Sequence, residues 1–451
     1  MRRLFGTDGV RGIANTEITC DLAMNIGRAA AVVLAKDGRR RPVFVIGTDT
    51  RASADMLTAA LTAGLCSVGA DVIRLGVIPT PAVAYLVGKY KADAGIVVSA
   101  SHNPAAFNGI KLFSGDGYKL PDELEEEIES LVLRKRTEYP QPIGGEVGRV
   151  TVAKNAVKDY IDHLKSTALY MPEGVRVAVD CANGAASVTA ERLFRELGCE
   201  VEILSAAPDG VNINEDCGST HLAQLSQFVR ERGCELGIAF DGDADRCLCV
   251  DDTGAEVDGD HIMAICALDL RERGKLTGNT VVGTIMTNFG FTRFCEEQGL
   301  RFIATKVGDR FVLEEMLIGE YAFGGEQSGH IIFRDFATTG DGQLTAVQLL
   351  SYLKRCGRSL RELAEVMTPC PQYSINLTVS AEGKRQFFTS SAIKAAMAEA
   401  KAALGNDGRI VVRPSGTEPL IRVMAEGNDA ELARTQAETV AAVIREQLGS
   451  E

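Results

Sequence analysis

Three aspartates at alternate positions could bind a metal ion. Asp241, Asp243 and Asp245 directly follow an apolar run, Gly237–Phe240, that is typical of a buried strand. At a strand end, alternate carboxylates can converge on one cation, and oxygen-only ligands favour Mg²⁺ or Ca²⁺ over zinc. Three carboxylates leave Mg²⁺ short of its six ligands, so water or a phosphate oxygen must supply the others. An Asp-rich turn without a metal is the plainer alternative.

A serine loop could supply that phosphate. The apolar run Ala94–Val98 leads into Ser99–Pro104, where the proline ends strand pairing and the loop presents its hydroxyls. Ser101 lies further beyond the strand than Ser99 and is the predicted reactive serine. A phosphorylated serine carries roughly −1.5 to −2 charges, which nearby aspartates would repel unless a cation lay between them. The serine loop and the aspartates therefore make chemical sense together.

Two further loops suit a phosphate and a sugar. Arg413–Pro419 combines a guanidinium, two hydroxyls and a glycine, which can bind a phosphate without transferring it, and Arg422 could add a second guanidinium. Gly324–His330 places a carboxylate, an amide, a hydroxyl and an imidazole in one loop, and such groups suit sugar hydroxyls. Taken singly, each could be an ordinary turn. The chain has no GxxxxGK[ST] loop and no GxGxxG after a strand, so nucleotide binding finds no support.

The elements that position these loops recur along the chain. A strand, a helix-like stretch, a second strand and a third apolar run ending in a polar loop occur at 42–104, at 175–246 and, more weakly, at 280–330. This alternation predicts α/β domains with mixed, mostly parallel sheets, which bind ligands at the carboxyl ends of their strands. From about Cys370 the pattern is that of a small α+β domain. The predicted domains are 1–150 (serine loop), 151–255 (aspartate loop), 256–369 (sugar loop) and 370–451 (phosphate loop).

Composition limits the partners and the location. The chain has 451 residues, 45% of them apolar, and this length predicts two to four domains rather than one continuous core. The formal net charge of −13 makes nucleic acid and anionic membranes poor partners. No segment has the length and apolar character of a membrane span or a signal peptide, and the twelve cysteines include no CxxC pair. We expect a cytoplasmic protein with reduced thiols.

Six motifs, in this order, resemble the α-D-phosphohexomutase superfamily over essentially the whole chain. They are Phe5–Gly12, Ser99–Pro104, Asp241–Arg246, Lys306–Arg310, Gly325–His330 and Arg413–Pro419. The resemblance implies that three α/β domains and the small C-terminal domain each supply one loop to a central cleft. The sequence is more similar to the branch acting on glucosamine phosphates than to phosphomannomutase/phosphoglucomutase relatives, which usually have Met in place of Gln327.

The resemblance also implies roles for individual residues. Ser101 would carry a phosphoryl group, and Mg²⁺ would be bound by that phosphate with Asp241, Asp243 and Asp245. Substrate hydroxyls would be contacted by Glu326 and Ser328. The residues implied to bind the far phosphate are Arg413, Ser415, Gly416 and Thr417. Those implied to stabilise charge or move protons are Arg11, Lys111, Lys306 and His330. In the reaction that follows, Arg246 would offset charge on the transferring group together with Mg²⁺.

The implied reaction interconverts glucosamine 6-phosphate and glucosamine 1-phosphate. Phospho-Ser101 would give its phosphoryl group to O1, and the bound 1,6-bisphosphate would turn over and return its 6-phosphate. Glucosamine or glucose 1,6-bisphosphate would be the activator, and the product would feed UDP-N-acetylglucosamine and peptidoglycan precursor synthesis. The alternatives are a phosphomannomutase/phosphoglucomutase, a serine-dependent sugar phosphatase and a non-catalytic anion- or metal-binding module. We expect a monomer or a homodimer.

Overall fold

The apolar runs of the sequence form the strands of four sheets. The computed structural model describes residues 4–6, 8–35, 41–134, 138–415 and 419–449. The strands of the first sheet are β1 (Val10–Ile13), β2 (Val43–Thr48), β3 (Asp71–Val77), β4 (Ala94–Val98), β5 (Phe107–Ser114) and β6 (Val150–Val152). They lie in the order β1-β5-β4-β2-β3-β6, with β2, β3, β4 and β6 parallel and β5 antiparallel to both neighbours.

The second and third sheets are smaller. The strands of the second are β7 (Arg176–Asp180), β8 (Glu200–Leu204), β9 (Leu236–Phe240), β10 (Cys247–Asp251) and β11 (Glu256–Val257), in the order β11-β10-β9-β7-β8. The strands of the third are β12 (Thr280–Thr284), β13 (Arg301–Thr305), β14 (Phe323–Gly325) and β15 (Ile331–Phe333), in the order β13-β12-β14-β15. Every residue of β4, β9 and β12 is buried, as expected for strands covered on both faces.

The topology confirms the three similar α/β units predicted from the sequence. In each sheet a central strand (β2, β7 or β12) has two parallel neighbours, and a fourth strand runs antiparallel beyond one of them. That fourth strand is β5, β10 or β15. The serine loop (residues 99–106), the aspartate loop (241–246) and the sugar loop (326–330) each connect the third strand to the fourth. All three loops therefore leave the carboxyl end of a buried parallel strand.

Helices cover the three sheets. They are α1 (Cys20–Val33), α2 (Ser53–Ser67), α3 (Thr80–Lys89), α4 (Asp122–Leu133), α5 (Ala156–Thr167), α6 (Ala190–Glu196), α7 (Ala223–Arg232), α8 (Gly259–Glu272), α9 (Phe289–Glu297), α10 (Asp309–Ile318), α11 (Gly342–Cys356) and α12 (Leu360–Ala364). Several begin at a polar cap that accepts an otherwise unused backbone N–H, as Thr19 does before α1 and Asp258 before α8. None of the helices in the described ranges is long and apolar enough to cross a membrane.

The C-terminal domain is a small α+β domain, as predicted. Its antiparallel sheet has the order β16-β18-β17, with strands β16 (Gln372–Thr378), β17 (Gly408–Pro414) and β18 (Leu420–Gly427). Its helices are α13 (Ala381–Thr389), α14 (Ser391–Leu404) and α15 (Ala430–Leu448). The phosphate loop (415–419) connects β17 to β18 in the sequence, and Glu426 of β18 accepts the backbone N–H of Phe289 in α9 at 3.0 Å. That contact fastens the domain to the third α/β unit.

The core is divided into separate clusters, as the length predicts, but one of them is shared by several domains. One apolar cluster runs from Val45 of the first sheet through Tyr160 of α5 to Met367 beyond α12. It is continuous because α5 packs against α3 on one side and α11 on the other, and α11 also packs against α8. The C-terminal domain keeps its own cluster, which includes Ile421 and Ile444. The exact domain boundaries stay predictions, and β6 continues the first sheet past residue 150 by pairing with β3.

Candidate active site

The serine loop and the aspartate loop meet in the interior of the protein. The Ser101 hydroxyl donates to Asp241 Oδ2 at 2.5 Å, although 140 positions separate the two residues. Ser101 is 1% exposed and has a backbone φ of +52°, in the left-handed region that a residue with a side chain rarely adopts. Such strain is kept only where the surroundings impose it, and it is commonest at functional sites.

The three predicted aspartates form a site that fits a hard divalent cation. One carboxylate oxygen from each of Asp241, Asp243 and Asp245 lies within 4.8 Å of the others, and all three side chains are buried. The Oδ1 atoms of Asp243 and Asp245 are buried and accept no hydrogen bond from the described residues. Buried acceptors without donors are costly, and a cation bound there would satisfy them. The residues present therefore fit Mg²⁺ better than a softer metal.

The same cluster is electrostatically divided. Burial raises the pKa of Asp241 well above its ordinary value, and the charges of Asp245 and Asp243 raise it further. Burial would also raise the pKa of Asp245, but Lys111 and His330 outweigh it and hold that pKa well below the ordinary value. Asp241, the carboxylate beside Ser101, thus lacks the compensating positive charge that Asp245 has nearby. A divalent cation at this point would balance it.

Lys111 connects the aspartates to the N-terminal segment. Its ammonium lies 2.8 Å from Asp243 Oδ2, 3.4 Å from Asp245 Oδ2 and 3.1 Å from Asp8 Oδ2. Arg11 also contacts Asp8. Lys111 and Arg11, both predicted to stabilise charge, therefore lie together beside the three aspartates.

Arg246 lies at the end of the aspartate loop. Its backbone N–H donates to Asp241 Oδ1 at 3.3 Å, and its Nε lies 3.9 Å from Asp245 Oδ1. The side chain is about one-quarter exposed, so its guanidinium reaches from the buried carboxylates toward open space. It can oppose the charge of a group presented next to Ser101.

The sugar loop brings three predicted residues to the same region. Glu326 accepts the Gly308 N–H at 2.9 Å, and the buried Ser328 hydroxyl has no hydrogen-bond partner among the described residues. His330 lies between two carboxylates, with Nδ1 3.7 Å from Asp245 and Nε2 3.3 Å from Asp309. Burial would lower the pKa of His330, but the two carboxylates raise it above its ordinary value. This loop offers a carboxylate, a hydroxyl and an imidazole whose Nε2 accepts the Gly340 N–H at 3.0 Å.

The phosphate loop concentrates positive charge. Arg413 and Arg422 are directly opposite each other in the register of β17 and β18. Burial lowers the pKa of Arg413, the like charge of Arg422 lowers it further, and Glu326 opposes both effects. Ser415 is buried and its carbonyl accepts a hydrogen bond from Lys384 at 2.7 Å. Two facing guanidinium groups are a site that an anion would stabilise.

Three predicted residues are not among those that the structure brings together, and two of them lie outside the described part of the chain. Gly416 and Thr417 of the phosphate loop lie outside the described residues. Lys306 is exposed, and its ammonium lies over the ring of Phe311, 5.6 Å from the ring centroid. It is therefore not part of the buried cluster.

Sequence reasoning missed the group that holds the serine loop in place. The buried Arg51 guanidinium donates to the carbonyls of four residues of this segment and to Asp49 Oδ2, while Asp49 accepts the Ser99 hydroxyl at 2.5 Å. The four carbonyls belong to Ser101, Asn103, Pro104 and Phe107. Asp49 and Arg51 follow β2 at the carboxyl edge of the sheet, and that placement was the available signal.

Comparison with known proteins identifies, along the whole chain, the family that the sequence motifs resemble. Four domain families match in order, described as phosphoglucomutase/phosphomannomutase alpha/beta/alpha domain I (residues 2–139), domain II (158–254), domain III (258–370) and C-terminal domain (375–443). The phosphoglucosamine mutase of Thermoanaerobacter sp. (strain X514) is 53% identical over 448 residues, covering 99% of this chain and 100% of that protein. The phosphoglucosamine mutase of Clostridium novyi (strain NT) is 51% identical over 447 residues, covering 99% of each.

Solved structures share the fold. A phosphoglucomutase/phosphomannomutase family protein from Burkholderia thailandensis superposes with a TM-score of 0.84 at 22% identity, over 99% of this chain and 98% of that one. The N-acetylphosphoglucosamine mutase of Aspergillus fumigatus, in complex with GlcNAc-6P and magnesium, has a TM-score of 0.70 at 17% identity, over 98% and 96% of the chains. At these identities the structural likeness concerns the fold.

Proposed function

The chain belongs to the phosphoglucomutase/phosphomannomutase family, and from that premise we propose that it is a mutase that interconverts glucosamine 6-phosphate and glucosamine 1-phosphate. The curated relatives, identical at about half of all positions over the full length, are phosphoglucosamine mutases. The observation that carries the proposal to particular atoms is the contact between the Ser101 hydroxyl and Asp241, inside the aspartate cluster. A phosphoserine at that position would meet the cation site that its charge requires.

Each loop then has one task in the reaction. Ser101 carries the phosphoryl group that passes to O1 of the sugar, and it takes back the phosphoryl group at O6 after the bisphosphate has turned over. Arg246 and Lys111 oppose charge on the transferring group, and Glu326 and Ser328 bind sugar hydroxyls. His330, between its two carboxylates, is suited to proton transfer.

The far end of the sugar is bound through its phosphate. Because O1 and O6 must each take a turn beside Ser101, the distal anchor has to recognise a phosphate in either orientation. Arg413 and Arg422, facing each other across β17 and β18, provide such an anchor. We propose that Ser415, Gly416 and Thr417 contribute to it as well. Binding energy from this remote phosphate orients the reacting end.

We propose Mg²⁺ as the metal. Asp241, Asp243 and Asp245 would hold it, and when bound it supplies positive charge against the phosphoryl group being transferred. The magnesium in the A. fumigatus N-acetylphosphoglucosamine mutase supports this choice. A glucosamine or glucose 1,6-bisphosphate would serve as the activator by phosphorylating Ser101.

Three further properties complete the proposal. Location in the cytoplasm is supported by the twelve cysteines, which lie within the described residues and are all free thiols. The product would supply amino sugar for UDP-N-acetylglucosamine and peptidoglycan precursors. Either a monomer or a homodimer is compatible with a site built within one chain.

The test is a substrate panel with the purified phosphoprotein, Mg²⁺ and glucose 1,6-bisphosphate. We expect glucosamine 6-phosphate to be converted with a higher kcat/KM than glucose or mannose phosphates. Ser101→Ala should abolish turnover and remove one phosphoryl adduct from the intact mass, whereas Ser391→Ala, at an exposed position in α14, should change neither. Preference for mannose or glucose phosphate would indicate the phosphomannomutase/phosphoglucomutase alternative. Rapid release of inorganic phosphate would indicate a phosphatase, and full activity of Ser101→Ala would refute the proposal.

A further inference from the structure

A buried lysine outside the six motifs links the first and third α/β domains beside the cleft. The Lys119 side chain is 12% exposed, and its ammonium contacts Asp8 Oδ1 at 2.5 Å and also contacts Asp309. Burial would lower the pKa of Lys119, but Asp309 and Asp8 outweigh that effect and raise it above its ordinary value. The side chain is therefore a permanent cation shared by two carboxylates.

The backbone around Lys119 is fixed at the same interface. Lys119 forms an isolated bridge with Phe113 of β5, which anchors it to the first sheet. Two residues earlier, the Gly117 carbonyl accepts the hydroxyl of Thr338, which follows β15 in the third domain, at 2.6 Å. The ammonium thus extends from a rigid support and is not a mobile surface group.

Each of the two carboxylates leads to a different part of the candidate active site. Asp8 also contacts Lys111, which reaches Asp243 and Asp245. Asp309 begins α10 and lies 3.3 Å from His330 Nε2. Lys119 is therefore the junction between the phosphoryl-transfer side and the sugar side of the cleft.

The geometry explains why a cation is needed at this junction. Asp8 and Asp309 lie against the same nitrogen, so without it two partly buried carboxylates would face each other. Their repulsion would push α10 and His330 away from the N-terminal segment and Lys111. A displacement of about 1 Å at a reacting centre can cost about 100-fold in rate.

We propose that Lys119 is a positioning residue for the mutase reaction, holding the third-domain wall of the cleft against the first domain through Asp309 and Asp8. The inference rests on the proposed function. Among the described residues, Lys119 forms no hydrogen bond or ion pair with the phosphate loop or the aspartate cluster, so its role is to fix distances. It keeps the bisphosphate close enough to Ser101 for the second transfer.

The experiment compares Lys119→Met with Lys119→Arg and a matched control. Asp122→Asn is the control, because Asp122 forms a more exposed ion pair with Arg310, 2.6 Å apart, between the same two domains. We expect Lys119→Met to lower kcat about 100-fold with KM changed less than threefold, and to release more bisphosphate per turnover. Lys119→Arg can still bridge two carboxylates, so its kcat should be at least tenfold higher than that of Lys119→Met. Asp122→Asn should stay within twofold of the wild type.

A double variant separates positioning from a general structural role. If Lys119 acts through Asp309, Lys119→Met combined with Asp309→Asn should be no slower than Asp309→Asn alone. Additive losses in the double variant, or a Lys119→Met kcat within threefold of the wild type, would overturn the inference. A wild-type protein that fails to convert glucosamine 6-phosphate would instead refute the proposed function, whatever the variants do. Thermal unfolding of each variant shows that the compared proteins are folded.

Discussion

Replacing Arg51 should loosen the serine loop selectively. All five guanidinium N–H donors of Arg51 are used: one on Asp49 Oδ2 at 2.8 Å and four on carbonyls of the serine loop and the first residue of β5, at 2.5 to 2.9 Å. The side chains of Arg51 and Asp49 are both fully buried. The perturbation is Arg51→Met, which keeps an unbranched apolar chain and removes the charge and every donor.

The expected loss of stability follows from the buried Asp49 carboxylate and the carbonyls that lose the guanidinium as a partner. Removing one partner of a buried ion pair costs about 3–5 kcal/mol, because the remaining charge is uncompensated. Arg51→Lys keeps the charge but has three donors for five acceptors, so at least two hydrogen bonds are lost, a cost of about 2–3 kcal/mol. Adding Asp49→Asn to Arg51→Met removes the uncompensated charge and should recover part of the larger loss.

Hydrogen exchange followed by mass spectrometry measures this effect where it occurs. We expect amides in the segment 99–107 to exchange roughly two to four orders of magnitude faster in Arg51→Met than in the wild type. The matched control is Arg192→Lys, at an exposed pair with Glu196 in α6, which should change stability by less than about 0.5 kcal/mol. Unchanged exchange of 99–107 in Arg51→Met, or equal exchange in Arg51→Met and the Asp49→Asn double variant, would refute the reasoning.

Three other predictions concern protonation, metal and substrate. Burial raises the pKa of Asp341, from 3.8 to about 6, so its contribution to stability is fully present below pH 3.8 and is lost as pH rises through 6. Asp341→Asn should make the fall in unfolding free energy between pH 4 and pH 7 smaller by about 2 kcal/mol in denaturant titrations. Asp243→Asn should weaken Mg²⁺ binding at least tenfold in calorimetry, whereas the exposed Asp252→Asn should not, because only the former removes a buried acceptor from the cluster. Arg413→Gln should raise the KM for the sugar phosphate about 10- to 100-fold in steady-state kinetics and leave Mg²⁺ affinity unchanged, because it removes one of the two facing guanidinium groups and none of the three carboxylates. The first prediction is contradicted if Asp341→Asn and the wild type lose stability equally between pH 4 and pH 7. The second is contradicted if Asp243→Asn and Asp252→Asn bind Mg²⁺ equally well, and the third if Arg413→Gln leaves the KM unchanged.

Much of the fold was predictable because its signals are local. The apolar run predicted at 280–284 is β12, and the helical pattern from Ser391 to Leu404 is α14. The polar loops were predicted at the carboxyl ends of buried strands, and the structure has them there in all three units. The spacing of apolar residues along a segment, and their number, indicate whether that segment is a buried strand or helix. Both can be read from residues that are neighbours in the sequence.

The contacts between units were not predictable in the same way. The continuous core from Val45 to Met367 depends on helices shared by neighbouring domains, and no periodicity encodes which helices those are. Lys119 and Asp309 are 190 positions apart, and neither the composition nor the spacing around Lys119 distinguishes it from a surface lysine. Lys306, which belongs to a motif, lies on the surface instead. Such differences arise because side-chain partners depend on how separate sheets are oriented.

By itself the sequence determined the repeated α/β unit, the chemical content of each loop and the family to which the chain belongs. The tertiary structure decided which atoms meet: Ser101 with Asp241, Arg51 with the carbonyls of the serine loop, and Lys119 with Asp8 and Asp309. The physical reason is the separation along the sequence over which each kind of interaction acts. Strand and helix formation follow from residues a few positions apart, whereas an ion pair or a hydrogen bond across the cleft exists only after several sheets have packed and fixed the directions of their loops.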